Sequence, residues 1–429
     1  MNMKKNLSKW IWMVLIYPIL NYSCTESNVS NPLERVGQLR IETIDIGNLT
    51  FKRLSGSISQ DITLTRNTNW LLDGGVLVLE GANLTIESGT SIFAGFNEET
   101  SFLSVQRGGT INAQGTATDP IFFTSIRKLT SVPQPGDWGG IIVNGSAPIN
   151  LDGGVGEGEG GTGSYGGTDP NDNSGVLRYV IIEYGGKQLG EDNELNGLSL
   201  NGVGNGTTVE FVEVLYGLDD GFELFGGTVN LRYAVSLGNG DDSFDWTYGW
   251  SGFGQFWVAQ QDPFDGDRGI EADNNEDNFD ALPFSNPTVA NVTLIGANDG
   301  DPDNDGIVLR HGTKGRITNA LVVNFSQHGL QVAEESAGFI ETDELSFLHS
   351  RVFDNAVVDE EAGNYTNADA FQSEASNTVE DQITLAGFVG SEAIAFDPAT
   401  IDSWFLSAPY VGAVPADNNW TANWVEILR

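Results

Sequence analysis

The chain has 429 residues, with 54 Gly but only 14 Pro, 39% hydrophobic residues, and 59 acidic side chains against 20 basic ones. That apolar content excludes a disordered polymer, and the negative charge excludes a nucleic-acid binder, because such a surface repels phosphates. Abundant Gly among Val, Ile, Leu and Phe points to short strands joined by tight turns and away from long helices.

Residues 1–23 read as an export signal. Lys4, Lys5 and Lys9 form a positive start, and an apolar run from Trp10 to Leu20 follows, too short to be a transmembrane helix. Small Ser23 precedes Cys24, the only cysteine of the chain. A lone cysteine at that place resembles the lipobox of bacterial lipoproteins, with Asn21 and Tyr22 departing from its usual Leu and small residue. The resemblance implies an acylated Cys24 and attachment to outer-membrane lipid. Removal of the signal leaves 17 basic against 59 acidic residues, a net charge of −42. It also leaves no second thiol in the body, so stability must come from the core. Residues 24–60 are expected to hold a polar tether and an N-terminal cap. Glu26, close behind the cysteine, resembles surface-export signals of Bacteroidota.

From residue 61 to 344 the chain repeats. Gly75–Ile86, Gly109–Ala113, Pro120–Thr124 and Trp138–Val143 are short apolar strands separated by turns. A firmer motif starts at Gly197-Leu198-Ser199-Leu200. It returns as Gly221-Phe222-Glu223-Leu224, Ser243-Phe244-Asp245-Trp246 and Gly269-Ile270-Glu271-Ala272, then as Gly306-Ile307-Val308-Leu309 and Gly329-Leu330-Gln331-Val332. The spacings are 24, 22, 26, 37 and 23 residues. A second series runs between them, through Leu177–Val180, Val209–Val212, Leu231–Ala234, Phe253–Phe256, Ala290–Thr293 and Arg316–Asn319. One such coil cannot bury its apolar face alone, whereas stacked coils share a continuous core. The reading is an all-β fold, a right-handed parallel β-helix with caps at both ends. Side-chain alternation puts Phe222, Phe244, Ile270, Ile307 and Leu330 inside, and Glu223, Asp245, Glu271, Val308 and Gln331 outside.

Two stretches interrupt the coils. Residues 152–175 are rich in Gly, Asp, Asn and Ser and read as an exposed insertion, and residues 273–287 as a second one. Residues 345–429 lose the motif and are expected to form final coils and a C-terminal cap, with Trp404, Phe405, Tyr410, Trp420 and Trp424 covering the open end of the core.

The runs Leu218–Asn230, Gly240–Trp246 and Gly254-Gln255-Phe256 resemble a family of envelope β-helix lipoproteins of Bacteroidota and some Proteobacteria, some of which carry a transporter label. Gly136-Asp137-Trp138-Gly139-Gly140 and Trp420-Thr421-Ala422-Asn423-Trp424 belong to the same resemblance, which covers the chain from about residue 60 onward. It implies this fold and an outer-membrane, surface-exposed location, and says little of activity.

The chemistry-bearing residues lie on the outward acidic row. Glu223, Asp245 and Glu271 stack there, and the adjoining turns add Asp219, Asp220, Asp241, Asp242, Asp265, Asp267 and Asp273. Carboxylates one strand spacing apart repel unless protons or cations intervene, and hard oxygen ligands suit Ca²⁺. The bland alternative is that these acids cap turns through backbone N–H groups. Asp301, Asp303 and Asp305 begin like a calcium loop, but the twelfth position is Gly312, so this is no EF-hand. Trp250, Trp257, Arg268 and Arg310 are candidates for touching a ligand, the tryptophans only if they face outward. No catalytic set is complete: three dispersed histidines without cysteine partners argue against zinc, and no nucleophile elbow or phosphate loop is present. The favoured function is a binding lipoprotein, either for a glycan through Ca²⁺ or as an accessory to a TonB-dependent transporter. A Ca²⁺-dependent polysaccharide lyase or glycoside hydrolase, and a structural or adhesive surface protein, stay open beside it.

Overall fold

A computed structural model describes residues 37–96, 99–190, 193–297, 300, 303–332, 334–353, 356–357, 377–380, 385–390 and 396–425. Cys24 and Asp301 lie outside them.

The solenoid opens with a hairpin. Strand Arg40–Ile46 pairs antiparallel with Leu49–Ile58, which then pairs in parallel with Asn69–Val78. From there the ladders are parallel, coil upon coil, so the chain is a right-handed parallel β-helix. The expected register holds through the repeats: Ser199, Glu223, Asp245, Glu271, Val308 and Gln331 face one another in that order. Their neighbours Phe222, Phe244, Ile270, Ile307 and Leu330 are at most 1% exposed. The Phe222 and Phe244 rings stack at 5.2 Å, and Phe244 stacks on Trp257 at 4.5 Å. Each such pair adds roughly 1 kcal/mol beyond the area it buries.

The glycine that opens the motif is dictated by coil spacing. A Cβ on Gly221 would stand 2.7 Å from the Ser243 carbonyl, and one on Gly306 would stand 2.5 Å from that of Gly329.

The second series bends at a single left-handed residue in each coil: Tyr179, Phe211, Tyr233, Phe256, Asn291 and Asn319, with φ between 47° and 61°. One αL residue turns a continuous strand from one face of the coil to the next. In Gly175–Glu183, for example, the first half pairs with Thr110–Gln114 and the second with Ile121–Ser125. The four aromatic rings at these corners point outward and stack at 4.4, 4.2 and 4.8 Å.

The C-terminal segment takes a different place from the one expected. Trp404, Phe405, Tyr410, Trp420 and Trp424 do not cover the open end of the core; they run as a strap along the outer corners. Trp420 and Trp424 meet the edges of Tyr179, Phe211 and Tyr233. Phe405 packs on Phe253, and Arg232 lies 4.2 Å over the Trp404 ring. Gln255 exchanges two 2.9 Å hydrogen bonds with the Leu406 backbone, and Asn291 donates to the Tyr410 carbonyl at 2.7 Å. The reason is the corner row itself, which leaves apolar ring faces and unpaired amides on the outside.

The 152–175 stretch is folded against the coils. Tyr165 is 2% exposed and packs on Phe225 and Ile149, while Ser146 and Ser174 donate to Asp172. Among the described residues no helix is long and apolar enough to cross a membrane.

Candidate functional site: a carboxylate row on the coil face

Two columns of side chains build the site. The outward column carries Glu223, Asp245 and Glu271. The second stands two residues before each inward residue, Leu198, Phe222, Phe244, Ile270, Ile307 and Leu330, and reads Asn196, Asp220, Asp242, Arg268, Asp305 and His328 in coil order. Parallel stacking forces these groups one strand spacing, about 4.8 Å, apart.

The two columns divide into a bare half and a neutralised half. In the bare half, oxygens of Asp219, Asp220 and Asp241 lie within 4.8 Å of one another, and so do oxygens of Asp220, Glu223 and Asp245. No cation reaches Asp219, Asp220, Glu223 or Asp245 within ion-pair distance among the described residues. Asn196 Nδ2 donates to Glu223 and, at 3.2 Å, to Glu159. Two sealed oxygens, Asp245 Oδ1 and Asn196 Oδ1, have no hydrogen-bond donor.

Burial is the largest influence on every acid here, and neighbouring carboxylates reinforce it. Glu159 is pushed up to about 8 by burial and then by Glu194; Asp219 is pushed up to about 8 by burial and then by Asp241. Asp220, Glu223, Asp242 and Asp245 all stand well above the ordinary carboxylate range for the same two reasons. These groups must therefore share protons or a cation.

In the neutralised half, Glu271 is held between Arg310 Nη2 at 2.6 Å and Arg268 Nη1 at 3.0 Å, the latter close but out of line for a hydrogen bond. Asp273 receives Arg310 Nε at 3.0 Å and lies 2.9 Å from His311 Nδ1. Burial would lower the Arg268 guanidinium, but Asp242 and Glu271 outweigh it and hold it above its usual value.

The turn-capping reading is also realised. Asp220 Oδ1 accepts the Asp242 N–H at 2.9 Å, and Asp242 Oδ1 accepts the Arg268 N–H at 2.7 Å. Each of these acids spends one oxygen on the next coil and keeps the other for the row.

The sequence-derived candidates thus separate. Asp219, Asp220, Glu223, Asp241 and Asp245 converge, and the structure adds Asn196 and Glu159. Glu271 and Asp242 belong instead to the arginine half, where Arg268 and Arg310 are occupied by acids. Asp267 sits at its rim, 3.9 Å from Arg268. Asp305 lies 2.9 Å from His328 Nδ1 and Asp303 stands 62% exposed, 3.9 Å from Arg268, while Asp301 lies outside the described residues. Trp250 and Trp257 are corrected outright. Both are 0% exposed, and their indole N–H groups donate to the Val229 and Leu231 carbonyls, so no ligand reaches them. Bulky rings there fill the coil interior beside Phe244 and Trp246.

Asn196 was legible: Asn196-Gly197 aligns with Asp220-Gly221 one coil on. Glu159 was not, because the fold of a Gly-rich insertion leaves no periodicity to read.

A family model described as a pectate-lyase like beta helix domain matches residues 56–425. No curated protein and no solved structure matches the chain.

Proposed function

The chain belongs to the pectate-lyase-like β-helix family, and from that premise we propose that it is a non-catalytic carbohydrate-binding protein of the cell envelope. A divalent cation, Ca²⁺ by ligand chemistry, is held by the bare carboxylates and bridges them to an anionic glycan. One observation carries this reading: Asp219, Asp220, Glu223, Asp241 and Asp245 gather without a counter-cation among them, while sealed oxygens of Asp245 and Asn196 lack donors. Carboxylate and amide oxygens are the donors Ca²⁺ takes.

Binding is favoured over cleavage on two grounds. A lyase needs a base, and both arginines on the row are engaged by Glu271 and held above their usual pKa by surrounding acids despite burial. A hydrolase sets one pair of carboxyls apart, by roughly 6.5–9.5 Å if inverting and roughly 5–5.5 Å if retaining, whereas here three carboxylates, Asp219, Asp220 and Asp241, crowd their oxygens within 4.8 Å of one another and no pair of them stands apart.

The envelope location rests on residues 1–24, whose charged start, short apolar run and Cys24 suit lipid attachment. A lipidated, rigid rod beside an outer-membrane transporter would hand it captured glycan, which is the partner this reading implies.

Calorimetric titration with Ca²⁺ at pH 7 tests the proposal. Expected are saturable binding, proton release and a raised melting temperature, all lost in Asp220→Asn/Glu223→Gln and kept in Asp303→Asn. No heat at millimolar Ca²⁺ would sink it. Oligogalacturonate should then bind in Ca²⁺ and not in EDTA.

A further inference from the structure

We propose that a cleft beside Arg316, which shares no residue with the carboxylate row, is a second ligand site that takes the anionic group of a sugar, carboxylate or sulfate.

The cleft has a volume of about 710 Å³ and is lined by Phe284, Thr288, Lys314, Arg316, Glu344 and Ser346 among others. Its position follows from the coil repeat. Arg316 begins a strand, Gly315–Val323, in register with Thr288 on one neighbouring coil and Ser346 on the other. The ladder therefore places hydroxyl, guanidinium and hydroxyl side by side, one strand spacing apart. Half-buried Phe284 supplies an apolar wall. One apolar plane with a few convergent polar groups is the usual composition of a small-ligand site.

The charges of the cleft point to an anion. Lys314 is fixed: its Nζ lies 4.0 Å from the Phe284 ring centroid and 4.4 Å from that of Phe339, and it pairs with Glu344. Arg316 has no such partner. No carboxylate of the described residues comes within ion-pair distance of it, although Asp343 and Glu344 line the same cleft. Glu344 is turned toward Lys314 and Thr342. By contrast Arg127, Arg178, Arg232, Arg268 and Arg310 each have a carboxylate within 4.0 Å. In a chain with 59 acids and 20 bases, a half-buried guanidinium left unpaired inside a cleft is the exception. Its charge is felt nearby, since His349 is held below its usual value by burial and by Arg316. A planar guanidinium flanked by hydroxyls matches the two oxygens of a carboxylate or sulfate.

The test is titration in EDTA, which silences any cation at the carboxylate row, of trigalacturonate, a sulfated galactose disaccharide and neutral galactotriose. At least one anionic probe should bind in the millimolar range or better, and the neutral one should not. Which anionic probe binds tells carboxylate from sulfate. Arg316→Gln should weaken binding at least about tenfold, Arg316→Lys should lose part of it, and Asp220→Asn/Glu223→Gln should leave it intact. Equal melting temperatures for wild type and Arg316→Lys secure the fold. Binding unchanged in Arg316→Gln, equal binding of the neutral sugar, or no binding of either anionic probe overturns the proposal. The Ca²⁺ reading stands or falls separately, on its own titration.

Discussion

At the scale of single residues, the bare carboxylates make the protein sensitive to pH in a defined direction. A carboxyl whose pKa is raised by folding holds its proton better in the native state. It stabilises the fold below its unfolded value, and that contribution is lost as pH rises through the folded one. For Glu159 and Asp219 this window runs from about 4 to about 8. The melting temperature of the metal-free protein should therefore fall between pH 5 and pH 8.5. The fall should be shallower in Glu223→Gln, and millimolar Ca²⁺ should flatten it by replacing the shared protons. Scanning calorimetry across that range checks all three, and a flat profile in EDTA would show the acids solvated after all. Glu42 and Glu344 act in the opposite sense, held below the ordinary carboxylate value by hydrogen bonds from Arg53 and Lys314. Which of these residues could be read in advance follows one rule. Glu223 and Asp245 were legible because coil register fixes them. Trp250 is a misreading because it lies in a turn, where alternation says nothing about inside and outside, and its Nε1 bond to Val229 emerges only from the fold.

At the scale of elements, the strands were legible and the bends were not. Alternation predicts the inward stack from Phe222 to Leu330, but the αL residue at each corner needs Tyr, Phe or Asn where glycine would be expected. The outward ring row at these corners explains the strap: once Tyr179, Phe211, Tyr233 and Phe256 stack outside the coils, something apolar must cover them. Trp424, 4% exposed, lies edge-on to Tyr179 and Phe211 and covers both. Trp424→Ala should cost about 3 kcal/mol of stability, measured by denaturant unfolding. Because its partners span coils from Tyr179 to Asn319, the strap docks only after those coils have stacked. The loss should consequently appear as faster unfolding with little change in folding rate.

At the scale of the whole molecule, a long acidic rod would, with the lipid tether proposed at Cys24, be suited to gathering cations and the polymers they bridge. Cys24→Ala should move the protein from the membrane to the soluble fraction and abolish incorporation of a labelled fatty acid; membrane retention in that variant would remove the anchor from the proposal. A solenoid of this kind also carries a hazard that its first strand answers. The start of every parallel ladder is an unsatisfied row of amides and carbonyls, a template onto which another copy could add without limit. Here the strand Arg40–Ile46 turns back antiparallel and occupies that row from Leu49 to Ser55. That strand carries Arg40, Glu42 and Asp45, and charges on an outer strand discourage a further one. That ladder is thereby closed to a further copy within the chain itself, so on this face the gene and not the supply of protein sets where the stack begins.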